Sequence, residues 1–149
     1  MRALGQARKR SACACQIYLA QAVHSAAFHL SEMGPALAAN IEACAQACKE
    51  HRSNPDGSGP FDHLPCNAFA WCGAEVCFEP DAHKHTLGDC WLKFTEAPAR
   101  PELNMRGRLP DWYRAKHPNA PTEVQWMSGV LLPLGVGLTN GTWSVRWHW

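Results

Sequence analysis

The sequence predicts an α+β fold, a small disulfide-rich domain in which one helix packs on a short antiparallel sheet. Three observations lead to this prediction. Six of the eight cysteines lie between residues 44 and 90. Residues 36–51 have the apolar spacing of a helix, and later segments that carry cysteines have the character of strands. A helix with two cysteines that faces a sheet with more of them predicts covalent links between the two layers.

The predicted helix covers residues 36–51 and carries two cysteines four positions apart, Cys44 and Cys48. Residues four apart lie one above the other on the same helix face, so both sulfurs point towards whatever packs there. The buried stripe has the i, i+3, i+4, i+7 spacing and consists of Ile41, Cys44, Ala45 and Cys48. Two start signals compete, because Gly34-Pro35 places a proline in a first turn and Asn40 is a good N-cap.

Three segments have strand character. Side chains alternate along residues 67–71, so Phe69 and Trp71 share one face and the two alanines of this segment share the other. Residues 90–94 form a second short strand of aromatic and apolar residues. Residues 124–132 are expected to form a closing strand that carries a buried tryptophan.

These residues resemble the PAN/Apple domain family over residues 41–133. The most specific matching motifs are Glu42-Ala-Cys-Ala-Gln-Ala-Cys48, Cys66-Asn-Ala-Phe69 and Asp89-Cys-Trp-Leu-Lys93. The resemblance implies a small sheet wrapped around one helix. It also implies two disulfides, Cys44–Cys90 and Cys48–Cys66. Cys72 and Cys77 are then left to pair with each other. The family's usual strand before the helix is not predicted here, because residues 16–30 are rich in alanine rather than in β-branched residues.

The length of 149 residues predicts one domain with extensions. The three segments are an N-terminal leader or extension over residues 1–35, the PAN/Apple-like domain over residues 36–133 and a C-terminal tail over residues 134–149. With 11 prolines and 11 glycines, the chain is expected to be loop-rich with a limited core, which cross-links would help to stabilise.

The N-terminal segment resembles a secretory signal. Its basic cluster, Arg8-Lys9-Arg10, precedes a mainly apolar run with small residues near positions 25–27, where cleavage is expected. An organelle transit peptide and a plain N-terminal helix are the alternatives. Cleavage there would remove Cys13 and Cys15 and leave six cysteines, the number that three disulfides need. Oxidised cysteines indicate an oxidising compartment, so the protein is expected to be secreted or extracellular, with an organelle lumen as the alternative.

Composition argues against two kinds of partner. A net charge of +1 with 18% charged residues gives no electrostatic case for nucleic acid. The N-terminal apolar run is diluted by glutamine and histidine and lacks the ~20 apolar residues of a membrane span. No nucleic acid and no membrane span are therefore predicted.

Cys72 and Cys77 are the candidate redox pair, because Trp71-Cys72-Gly73 is similar to the redox-active motif of thioredoxins. That chemistry needs two cysteines two residues apart at a helix N-terminus, whereas the spacing here is C-x4-C. A structural disulfide is therefore expected, and a thiol-disulfide redox protein is the alternative. A zinc-stabilised intracellular interaction domain is a further alternative, although no C-x2-C pair is present.

No catalytic residue, metal or cofactor is predicted. The sequence has no nucleophile elbow and no phosphate-binding glycine loop, so the chain is not expected to be an enzyme. Glu79, Asp81 and Asp89 could suggest calcium but lack the twelve-residue loop pattern, and they are interpreted as part of a solvated loop.

The resemblance implies a binding role, because the family mediates protein–protein or protein–carbohydrate contacts without chemistry of its own. The predicted partner is a protein or a glycan. Candidate ligand-contact residues are Trp112, Trp143 and Trp147, which fall in loops or in the tail. Exposed aromatic rings can stack on sugars or anchor a protein contact, and the alternative is that these rings cover the small core.

Overall fold

The computed structural model describes residues 15–20, 36–58, 62–100 and 107–139, with the backbone alone for residues 15–20 and for Ala36. Its elements in chain order are β1 (Cys15–Ala20), β2 (Ala36–Leu37), α1 (Ile41–Glu50), β3 (Ala68–Cys72), β4 (Val76–Cys77), β5 (His85–Thr86), β6 (Asp89–Lys93), α2 (Asp111–Lys116) and β7 (Trp126–Pro133). Five strands form an antiparallel sheet in the order β1-β7-β3-β6-β2, and β4 pairs with β5 separately. The helix α1 packs on one face of the large sheet, so the predicted fold class is confirmed.

The helix α1 begins at Ile41, later than the sequence predicts. Asn40 has extended backbone, with φ of −156°, and its Oδ1 accepts a hydrogen bond from the Ala43 N–H at 2.8 Å. Of the two competing start signals, Asn40 is therefore the cap. The prediction of helix from residue 36 is wrong, because Ala36 and Leu37 pair with β6 and form β2 instead. Alanine's helix preference is too weak to outweigh a sheet pairing.

The predicted buried stripe of α1 is confirmed. Its four side chains are at most 5% exposed and pack on the sheet, and they are Ile41, Cys44, Ala45 and Cys48. Phe69 and Leu131 meet them from β3 and β7, with Trp71 half-buried beside them. The predicted alternation along β3 is also confirmed, because Ala68 and Ala70 belong to clusters on the opposite face.

The opposite face of the sheet is covered by the β4–β5 pair and by the segment that contains α2. Three small clusters of buried residues lie there. The first contains Ala70, Cys72, Cys77 and Trp126, the second contains Leu109, Tyr113 and Ala120, and the third contains Ala68, Val130 and Leu132. The central strands are therefore buried on both faces. This explains why β7 is apolar along most of its length rather than alternating between apolar and polar residues.

Residues 15–20 form an edge strand, β1, which pairs with β7 along its whole length from Cys15↔Pro133 to Ala20↔Ser128. The expectation of no strand before the helix is wrong at this segment. Strand formation depends on the available partner more than on local propensity, and β7 offers a long free edge. The sheet thus extends N-terminal to the predicted domain boundary at residue 36. The leader and its cleavage site stay a prediction.

Among the described residues three disulfides hold the layers together, in the pairs that the PAN/Apple resemblance implies. Cys44–Cys90 joins α1 to β6, and Cys48–Cys66 joins α1 to the segment before β3, with Cα–Cα distances of 5.5 Å and 5.2 Å. Cys72–Cys77 joins the end of β3 to β4, with a Cα–Cα distance of 5.8 Å. Two of the three links therefore attach the helix to the sheet, from adjacent turns of one helix face.

The Cys44–Cys90 link is expected to stabilise the fold more than Cys72–Cys77. Their sequence separations are 46 and 5 residues. In the chain-entropy model these loops correspond to about 4 and about 2 kcal/mol. Replacing Cys44 and Cys90 by alanine should therefore lower the free energy of unfolding, measured with urea under non-reducing conditions, by roughly 2 kcal/mol more than replacing Cys72 and Cys77.

The second double variant is a matched control for lost packing, because all four sulfur-bearing side chains are at most 2% exposed. Equal losses in the two variants, or a larger loss for the short loop, would contradict the prediction.

Candidate functional site

Of the three tryptophans predicted to contact a ligand, Trp112 lies in the described structure, while Trp143 and Trp147 lie outside the described residues. Trp112 is in α2 and half-buried, and its ring meets Tyr113 edge to face with centroids 5.7 Å apart. It packs on the cluster that contains Leu109. The structure therefore gives Trp112 a share in covering the core, the alternative left open by the sequence.

The structure brings together a different aromatic group, in which a histidine lies between two tryptophans. His85 of β5 is 3% exposed. Its ring centroid is 5.2 Å from that of Trp91 on β6 and 5.2 Å from that of Trp126 on β7, with interplanar angles of 71° and 64°. Three elements thus meet at one imidazole, which fixes the β4–β5 pair against the sheet.

Carboxylates face both ring nitrogens of His85. The Nε2 atom is 3.0 Å from Oδ2 of Asp81, and the Nδ1 atom is 3.6 Å from Oδ2 of Asp89. The same Asp89 oxygen accepts a hydrogen bond from the Thr86 N–H at 3.1 Å. The interpretation of a solvated loop is wrong for Asp89, which is 8% exposed and belongs to β6.

The sequence does carry a signal for this group, since Asp81, His85 and Asp89 are spaced four apart. On a helix that spacing would place them in one row. Here the chain runs through a bend and two strands, so the spacing alone could not reveal the contact.

A buried imidazole cannot reach a substrate, and the arrangement is suited to holding the segment in place. In the described part of the chain no three histidine, cysteine, aspartate or glutamate side chains are arranged so that they could hold a metal ion.

Phe78 is the anchor of the segment that follows β4. Its N–H donates to Oε1 of Gln125 at 2.9 Å, and its carbonyl accepts from the Trp126 indole N–H at 3.0 Å. Its ring packs edge to face on Tyr113, with centroids 6.4 Å apart. The side chains of Gln125 and Trp126 thereby satisfy both backbone groups of Phe78, as burial requires.

Two titratable groups near Glu79 are shifted by burial. Burial raises the pKa of Tyr113 to about 12, and the negative charge of Glu79 adds to the increase. Burial lowers the pKa of Lys93 below its usual value, while the charge of Glu79 partly opposes this decrease. Tyr113 is not placed for proton transfer to a ligand, because it is 1% exposed.

The Cys72–Cys77 disulfide is poorly suited to thiol exchange. Exchange needs an accessible sulfur, preferably at a helix N-terminus that lowers the thiol pKa. Cys72 and Cys77 are 0% and 2% exposed and pack with Trp126. Cys72 ends a strand, and the next residues lead into β4 rather than into a helix. These features favour a structural disulfide over the redox alternative.

Comparison with known proteins identifies no relative: no family model, no curated protein and no solved structure matches this chain. The three disulfides indicate an oxidising environment, such as the extracellular space or an organelle lumen.

Neither helix within the described ranges is long and apolar enough to cross a membrane.

Tyr113 is expected to make stability fall at alkaline pH. Its folded-state pKa of about 12 exceeds the ordinary value of 10.0, which applies to the unfolded chain. The contribution is complete below pH 10 and is lost as pH rises from about 10 to 12, because the unfolded state then releases a proton that the folded state keeps. The total corresponds to roughly 2–3 kcal/mol.

Urea unfolding of the chain and of Tyr113→Phe at several pH values from 8 to 11, with free thiols alkylated, measures this contribution. The unsubstituted chain should lose stability relative to Tyr113→Phe above pH 10. The effect of Lys93 has the opposite sign, because its cost is relieved as pH approaches 10.5, and it cancels in the comparison. Parallel pH profiles would show that the Tyr113 hydroxyl does not resist ionisation in the fold.

Proposed function

We propose that this chain is a secreted, PAN/Apple-like binding module that contacts another protein and carries out no chemistry of its own. The observation that carries the proposal is the position of the disulfides. They hold a small sheet rigid beside a group of exposed aliphatic side chains. Two groups that could act as acid or base, His85 and Tyr113, are enclosed in the structure.

The exposed group consists of Leu37, Val76 and Leu87, called here the aliphatic edge. These side chains are 81%, 47% and 58% exposed. Their backbones are brought together by pairing, because the Ala38 N–H donates to the Gly88 carbonyl at 2.8 Å and the Leu87 N–H donates to the Glu75 carbonyl at 3.3 Å. Single exposed leucines are common on surfaces, whereas neighbouring ones are typical of contact sites.

Two disulfides stiffen the aliphatic edge. Cys90 pairs in register with Ala36, next to Leu37, and is bonded to α1. Cys77 follows Val76 directly and is bonded to the end of β3. Gly88 completes the turn with a φ of +94°, and a side chain there would come within 3.2 Å of the Ala38 carbonyl. A preorganised surface loses less conformational entropy on binding, which favours affinity.

A protein partner suits this edge better than a glycan does. Its side chains are aliphatic, whereas sugar rings are bound chiefly by stacking on aromatic faces. Aliphatic side chains on a rigid surface instead fill apolar pockets of a protein partner. Trp112, the described candidate for sugar stacking, has its ring packed against Tyr113.

The proposal is tested with the oxidised full chain as bait in a pull-down from extracellular fluid and on a glycan array. A protein partner should be captured and then bind Leu37→Asp at least roughly tenfold more weakly, since a central contact residue commonly contributes that much. Leu134→Asp is the matched control, because Leu134 is also a leucine and is 65% exposed at another place in the fold.

Equal affinity of the partner for both variants would remove the aliphatic edge from the proposal. Binding to glycans alone would replace the protein partner by a carbohydrate, and silence in both assays would contradict the binding role.

A further inference from the structure

The outer edge of β7 is the most extensive pairing surface of the sheet. Six consecutive residues of β1 pair with it, whereas β3 pairs with five residues of β7 and β2 with two residues of β6. The side chains of β7 are buried from Ser128 to Leu132. An edge of this length with buried side chains is costly to leave without a partner.

The hydrogen-bonding groups of β7 that face outward can be assigned. The Leu131 N–H donates to the Asn67 carbonyl at 2.9 Å, so Leu131 directs its backbone groups towards β3. Backbone groups alternate in direction along a strand. Ser128, Val130 and Leu132 therefore direct their N–H and carbonyl groups towards β1. In the observed register Ser128 pairs with Ala20, Val130 with Tyr18 and Leu132 with Gln16.

Before its last residue, Pro133, the sequence of β7 contains nothing that would guard this edge if β1 were lost. Residues 126–132 include no charged residue and no proline, the two usual means of preventing edge-to-edge pairing. In the intact chain β1 covers the edge. It precedes residues 25–27, where the sequence predicts processing, so a chain cut there would no longer be covalently joined to its own edge strand.

We propose that the outer edge of β7 is a strand-binding site, filled by the chain's own residues 15–20, and that its alternative occupant is β7 of a second copy. Antiparallel pairing centred on Val130 places Ser128 opposite Leu132 and Val130 opposite itself. All three have outward backbone groups, so both copies satisfy the same donors and acceptors about a twofold axis. Residues 15–20 thus act as a guard strand, and their removal couples processing to self-association.

Proline substitutions in the full chain test the guard strand. Tyr18→Pro removes an N–H directed at β7, whereas the N–H that Ile17→Pro removes points away from β7. Tyr18→Pro should double the mass measured by light scattering after size-exclusion chromatography, while Ile17→Pro and the side-chain control Tyr18→Ala should keep the mass of the unsubstituted chain. Equal behaviour of the two proline variants, whether both unchanged or both aggregated, would overturn the proposal.

The register of the second copy is tested by disulfide trapping in the Tyr18→Pro chain. Val130→Cys should cross-link two copies, since paired residues with mutual hydrogen bonds lie about 5.5 Å apart at Cα, within disulfide range. Leu131→Cys is the matched control, because both positions are 6% exposed and residue 131 would lie opposite residue 129. Cross-linking at 131 rather than 130, or at neither, would contradict β7-to-β7 pairing. The outcomes of the proline and cross-linking experiments do not depend on the aliphatic edge.

Discussion

The attachment of one helix face to the sheet by two disulfides is the constraint on which the rest of the structure depends. The helix α1 has ten residues, too few to be stable alone in water. Cys44 and Cys48 lie one turn apart on its buried face and are bonded to different parts of the chain. Two attachment points fix both the position and the rotation of α1, and they hold β6 and the start of β3 at a set distance from it.

The opposite face of the sheet is held by a different kind of interaction. Its cover consists of loops, the short β4–β5 pair and the short helix α2, so backbone groups there cannot all be satisfied by regular secondary structure. Side chains take over this role, as when Gln125 and Trp126 bond both backbone groups of Phe78. Asn67 does the same for Thr95, with distances of 2.8 Å and 2.9 Å. Segments without regular secondary structure thereby extend the small core.

The two edges of the sheet are held in different ways. At one edge β2 is only two residues long, and its exposed Leu37 adjoins the turn before β6. At the other edge β1 closes the sheet along β7. The disulfides lie near the first edge and hold it rigid, whereas β1 is joined to the sheet by pairing with β7. The two edges therefore differ: one carries an exposed apolar side chain close to disulfides, and the other is closed by a strand paired along β7.

The sequence by itself determined which side chains share a face within each element. The stripe on α1 and the alternation along β3 follow from the helical and strand periods, which act over a few residues. The tertiary structure alone decided that residues 15–20 are a strand, that α1 does not start at residue 36, and that His85 lies between Trp91 and Trp126. Those outcomes depend on partners far away in the chain, whose pairing energies exceed local preference.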